Sequence, residues 1–326
     1  MDVLLDILDT FVFDRLYASI LPATNPVPAP AGTYNKHISL YYPLPPSPYA
    51  DSSAWKRDDL ARQTTSLFLI GWIFATALYL IGSTVVYHTI FDKRVMRHPH
   101  FLPNQIRQEI HQGLSAIPVI AVLTAPFFLA EVRGWTKLYD FNDEAPFRAY
   151  NWLQYPLFVC FTDCGIYWIH RGLHYPPVYR WLHKPHHKWI MPSPFASYAF
   201  HPVDGWSQSI PYHVYPLLFP LQKSAYLGLF VFVTMWTVFI REFPFEFAVV
   251  WEMRGIGLIN ADDAEYLSES VVVNGAACHT MHHLYFNYNY GQFLTFWDRV
   301  SGTYRKPKED GFIQNENRKA QALKSD

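Results

Sequence analysis

Charge is scarce in this chain. Of 326 residues, 16% are Asp, Glu, Lys or Arg, against about 25% in an ordinary soluble protein, while 50% are hydrophobic and 18% aromatic. A surface with so few ions is not built to face water everywhere, and a lipid membrane is the simplest alternative partner. Cysteine is equally sparse. The three residues Cys160, Cys164 and Cys278 form no CxxC pair, which excludes a disulfide framework and a cysteine-based zinc knuckle. Basic excess is absent too: 26 cationic side chains meet 27 acidic ones for a net charge of −1, so the electrostatic footprint of a nucleic-acid binder is missing. Residues 1–63 lack the basic, apolar, small-residue order of a signal peptide. A proline-rich tract from Pro22 to Pro48 excludes long helices there, and the segment reads as a surface-lying or loosely ordered leader.

Long uncharged runs are present instead. Residues 64–87 carry no charge over 24 positions, enough to cross a hydrocarbon core of roughly 30 Å. Residues 113–130 are uncharged and apolar despite Pro118 and Pro126, and 151–169 are similar except for Asp163. Two shorter apolar stretches, 209–221 and 224–240, are separated by Gln222 and Lys223 and read as a re-entrant or tightly turned hairpin. The expected fold is an all-α integral membrane protein with about four transmembrane helices. Lys93, Arg94, Arg97 and Arg107 favour a cytoplasmic loop after the first span, although Lys56, Arg57 and Arg62 nearly balance them. Parity then brings all histidine-rich segments to one side as a helical cap.

Eight of the fifteen histidines fall into three compact patterns: His170-x-x-x-His174, His183-x-x-His186-His187 and His279-x-x-His282-His283. Residues three and four apart share a helix face, so each pattern can aim two or three imidazoles at one point. HxxHH is expected by chance on the order of 0.03 times in a chain of this composition, yet it occurs twice. A single tetrahedral zinc needs only four ligands, so two adjacent metals fit better. Iron suits a lipid-facing site with open positions for oxygen activation. His201, between boxes in a proline-flanked segment, is a further candidate ligand, and Asp204 is a candidate acceptor for a ligating histidine's second ring nitrogen. His213 is equally readable as ligand or as packing. His37, His88, His98, His100 and His111 read as ordinary polar residues.

The segments WIHRGLH (168–174), HKPHH (183–187), AFHPVDG (199–205) and NGAACHTMHH (274–283) resemble the C-5 sterol desaturase (lathosterol oxidase) family, fungal members above all. The likeness continues through LYFNYNYGQ (284–292) and WDRVSGTY (297–304) and covers about residues 150–307. It divides the chain into a leader (1–63), a region of two spans and loops (64–149), a catalytic domain (150–307) and a polar tail (308–326). The resemblance implies an endoplasmic-reticulum enzyme of the fatty acid hydroxylase superfamily, multi-pass, with its site facing the cytoplasm. It further implies two irons, O₂, and electrons relayed from NAD(P)H through cytochrome b5 and its reductase. The implied reaction introduces the C5=C6 double bond into the B ring of a Δ7-sterol, of the episterol type, in ergosterol biosynthesis.

Two departures stand out. Tyr198 occupies a position where the family usually has histidine. Residues 241–262 replace a His-Asp-Gly element thought to carry another ligand and contain no histidine. Arg241-Glu-Phe can be encoded with a splice donor and Asn260-Ala-Asp with an acceptor, and their joining restores Ile-His-Asp-Ala. The segment therefore reads as a retained intron, with an impaired, sterol-binding paralogue as the competing reading. A sterol or fatty-acyl hydroxylase on the same scaffold is the enzymatic alternative.

Overall fold

The computed structural model describes residues 1–24, 34–89, 91, 93–97, 99–242 and 272–306. Most of the atypical 241–262 segment and the 308–326 tail lie outside the described residues.

Helix α1 (Asp2–Leu8) passes through a π turn, Asp9–Phe13, into α2 (Asp14–Ile20), and a single turn, α3 (Ile38–Tyr41), follows. Residues 2–20 are thus helical and packed rather than loosely ordered. Then come the two longest helices, α4 (Leu60–Thr89) and α5 (Gln105–Val132). Both are long and apolar enough to cross a membrane; at 1.5 Å per residue α4 is about 45 Å long. Each exceeds the uncharged run that predicts it. In α5 the added turns are polar, because buried Gln105 and Glu109 are held by the loop beneath the second histidine box: Gln105 Nε2 donates to Met191 O at 2.7 Å and Ser193 Oγ donates to Glu109.

After β1 (Leu138–Tyr139) the chain enters α6 (Tyr150–Leu173), the turn α7 (Pro176–Val178) and a π turn at Tyr179–His183. Helices α8 (Pro202–Leu218) and α9 (Lys223–Glu242) form the expected hairpin, closed by β2 (Leu221–Gln222), which pairs in parallel with β1. Two short helices, α10 (Ala276–Tyr285) and α11 (Phe296–Val300), complete the described chain.

The long helices alternate in direction, which gives the bundle two distinct ends. At one end Arg133 after α5 donates to Gln63 of α4 at 2.8 Å, and Tyr150 at the start of α6 donates to Pro220 O at 2.8 Å. At the other, Ser83 of α4 donates to Pro194 O at 3.0 Å and His170 of α6 meets His183. One core lies among α6, α8 and α9, with Phe158, Ile166, Tyr215, Leu229 and Phe293. Gly165 permits this approach, since a Cβ there would sit 2.6 Å from Pro211 Cγ. A second core joins Leu5, Phe13 and Tyr17 to Leu67 and Ile70 of α4 and Phe128 to Val132 of α5.

Candidate metal centre

The end of α6, the π turn that follows it and α10 carry the three boxes, and the fold brings them together. His170, His174, His183 and His282 form one group whose ligand atoms all lie within 4.8 Å of one another; His186, His279 and His283 form a second. His187 stands between them: its Nε2 is 3.2 Å from Nε2 of His174, and its ring centroid is 4.9 Å from His282 and 4.7 Å from His283. Within the second group, Nε2 of His279 and His283 are 3.0 Å apart and the rings of His186 and His283 are 4.7 Å apart. The π turn at Tyr179–His183 widens the backbone by a residue per turn, placing His183 on the cage while His186 and His187 come round behind it.

The hydrogen bonds of the first group fix its chemistry. Nδ1 of His170 lies 2.9 Å from Tyr290 O, Nδ1 of His282 2.7 Å from Tyr288 O, and Nδ1 of His183 2.8 Å from Asp204 Oδ2. Carbonyl and carboxylate oxygens only accept, so in each neutral ring the proton resides on Nδ1 and Nε2 presents a lone pair. Yet Nε2 of His170 and His183 face each other at 3.2 Å, and those of His174 and His282 at 3.1 Å. Protonating the rings is no remedy. Burial, reinforced by neighbouring imidazoles, pushes His282 well below its usual range and His174 down to about 3. Converging lone pairs on buried neutral rings are what a divalent cation requires, so the residues present fit iron.

The loop after α10 aims the two carbonyls. Phe286 and Asn289 adopt left-handed backbone, φ 63° and 56°, a conformation that costs a side-chain-bearing residue on the order of 1 kcal/mol or more. Four side chains hold it. Asp163 Oδ1 accepts from the backbone N–H of Gln292, Phe293 and Leu294 at 3.2, 2.7 and 3.3 Å, and Asp298 accepts from Tyr290 and Gly291 at 2.9 and 2.8 Å. Trp236 of α9 donates to Gln292 O at 2.9 Å, and Asn274 to Gly291 O. An acid inside an otherwise uncharged run was the available signal for Asp163; the carbonyls of Tyr288 and Tyr290 leave no trace in residue identity.

Among the described residues His201 stands outside both groups. Its Nδ1 accepts from Val203 N at 3.2 Å, capping α8, and Gly205 in the next turn is required because a Cβ would enter the Phe200 ring. Asp204 is fully buried, with Oδ1 accepting from Gln208 Nε2 at 2.8 Å beside its contact with His183. Tyr198 packs on Tyr79 and Phe200, ring centroids 5.4 and 5.8 Å away, and belongs to neither group. His213 is buried among Phe127, Phe128 and Tyr226 and is remote from the cage.

The Fatty acid hydroxylase family model matches residues 155–303, which include all three boxes. Delta(7)-sterol 5(6)-desaturase erg3B of Aspergillus fumigatus is 57% identical over 315 residues, 96% of this chain and 88% of its own length. The chain belongs to the Delta(7)-sterol 5(6)-desaturase family. Relatives at greater distance include the Delta(7)-sterol 5(6)-desaturases of Leptosphaeria maculans, 47% identical over 96% of this chain and 88% of the relative, and of Candida albicans, 41% identical over 97% and 91%. No solved structure matches.

Proposed function

We propose that this chain is the oxygen-dependent oxidoreductase that removes two hydrogens from C5 and C6 of a Δ7-sterol, forming the C5=C6 double bond in ergosterol biosynthesis. The observation that carries the reading is the convergence of the Nε2 lone pairs from three histidine boxes, in a chain 57% identical to a Delta(7)-sterol 5(6)-desaturase. His170, His174, His183 and His282 would hold one iron and His186, His279 and His283 the other, with His187 between the two histidine groups; His201, whose Nδ1 caps α8, would offer its Nε2 as a further ligand. Two bound irons would supply O₂-dependent hydrogen abstraction, with two electrons from NAD(P)H, relayed by cytochrome b5 and its reductase, completing the reduction of O₂ to water. The chain's own residues do the rest. Tyr290 O, Tyr288 O and Asp204 hold the Nδ1 protons and so orient the rings, while Tyr290, Tyr179 and Phe286 pack over the imidazoles and limit water.

The same reading places the enzyme in the endoplasmic-reticulum membrane with α4, α5, α6 and the α8–α9 hairpin embedded and the cage facing the cytoplasm. Arg57 and Arg62 are engaged in ion pairs with Asp14 and Asp9. Exposed cations stand at both ends, Lys93, Arg97 and Arg107 beside the cage and Arg15, Arg133 and Lys137 opposite, so the orientation rests on the parity of the spans. The test is expression in a desaturase-deficient yeast that accumulates Δ7-sterols. Appearance of the conjugated Δ5,7-diene absorbance is the expected result; a hydroxylated sterol without diene would move the assignment to a hydroxylase on this scaffold.

A further inference from the structure

The first twenty residues are an amphipathic helix turned inside out. Asp2, Asp6, Asp9 and Asp14 are all buried. Spacings of four and three bring the first three onto one face, and the π turn at Asp9–Phe13 absorbs the extra residue before Asp14. This acidic stripe meets cations of the chain itself: Arg62 contacts Asp9 at 2.8 Å and Asp14 at 2.5 Å, Arg57 contacts Asp14 at 2.6 Å, and Lys223 contacts Asp2 at 2.6 Å. The opposite face carries Leu4, Phe11, Val12, Leu16 and Ile20, exposed by 38 to 63%. A helix laid on a protein in water would show the reverse pattern.

What covers that face follows from where it lies. Leu5, Phe13 and Tyr17 seat the helix on the start of α4 and the end of α5, at the end of the bundle away from the histidines. Its outer surface therefore runs on from the exposed apolar surface of the two long helices, which shows Ile73 and Ile81 on α4 and Val122 on α5. Phe11 meets Tyr42 edge-on at 6.4 Å, and Tyr41, Tyr42 and Tyr49 are exposed beside it, the aromatic composition of a membrane–water boundary. Arg15 is exposed on the same face, with a stem long enough to reach lipid phosphate. We infer that residues 2–20 lie flat in the lipid leaflet opposite the metal cage, as a half-submerged anchor whose polar face is satisfied by protein and whose apolar face contacts acyl chains.

The inference rests on the membrane reading of α4 and α5, and one experiment separates the two. The full chain is reconstituted in phosphatidylcholine vesicles doped with a lipid bearing a photoreactive diazirine either near the acyl carbonyl or at the acyl terminus, and adducts are mapped by mass spectrometry. Expected are adducts on residues 4–20 several-fold stronger with the shallow probe, and on the middle of α4, around Ile73, stronger with the deep probe. The double substitution Phe11→Asp with Leu16→Asp should reduce the first set several-fold and leave the second unchanged. Adducts on α4 with none on 4–20 in the unsubstituted chain would overturn the anchor alone. Absence from both would overturn the membrane reading with it.

Discussion

Three Nδ1 protons of the first histidine group have three different acceptors, two carbonyls and one carboxylate, and only the carboxylate can be altered by substitution. Asp204→Asn keeps the shape of the side chain but removes its charge, so the imidazole of His183 loses the partner that fixes its tautomer and raises its basicity. Loss of such a partner lowers metal affinity or activity by about 10- to 100-fold; iron titration of the purified protein should show it, and unchanged affinity would remove Asp204 from the site. At the far end, burial pushes the carboxyl of Asp6 up to about 6, against hydrogen bonds from Asn35 and Tyr34 and the charge of Arg57 that pull it down. A carboxyl whose folded value exceeds its unfolded value of 3.8 favours the fold while protonated, and that contribution fades as pH rises through about 6. Between pH 5 and 7 it amounts to about 1 kcal/mol. Because asparagine does not titrate, the stability difference between Asp6→Asn and the parent, measured by thermal unfolding in detergent at both pH values, should shift in the variant's favour on going to pH 7. The histidine boxes were legible because i, i+3 and i+4 spacings survive in sequence. Their hydrogen-bond acceptors were half legible: Asp204 by proximity to a box, Tyr288 and Tyr290 not at all, since every residue has a carbonyl.

Helix α6 has two separable tasks, packing against α8 and holding the loop that aims those carbonyls. Gly165 serves the first. Gly165→Val would drive a branched side chain into Pro211, where even Cβ is too close, and overpacking of this kind costs about 1–3 kcal/mol, visible as a lower melting temperature. Asp163 serves the second, through one carboxylate oxygen and three N–H donors. Asp163→Ala leaves those buried donors unanswered, a loss of about 3 kcal/mol or more, and it should also reduce iron bound per folded chain because His170 leans on the same loop. A variant destabilised yet fully loaded with iron would confine Asp163 to a structural role. The long helices themselves were legible from uncharged runs, each run falling short of its helix by flanking turns such as those that tertiary contacts add to α5. The helix at 2–20 was not. Its period is broken by a π turn, and its acidic face is held by Tyr34 and Asn35 together with Arg57, Arg62 and Lys223, residues 25 to 221 positions away.

The molecule as a whole divides its work between the two ends of one bundle, and the end bearing the cage is itself divided. Four imidazoles converge in one group and three in the other, with His187 shared. If the groups hold separate ions, substitutions should sort by group rather than by box. His186 and His183 belong to the same box but to different groups, so His186→Ala should leave about one iron per chain with the four-histidine group intact, because removal of one ligand from a three-imidazole site is far more damaging than loss of a distant neighbour. His187→Ala, acting on both groups, should lower loading further. Metal analysis of the purified variants, with circular dichroism to confirm that the helices persist, decides the matter. Retention of two irons in the His186→Ala protein, or loss of both, would show that the two groups do not bind metal independently.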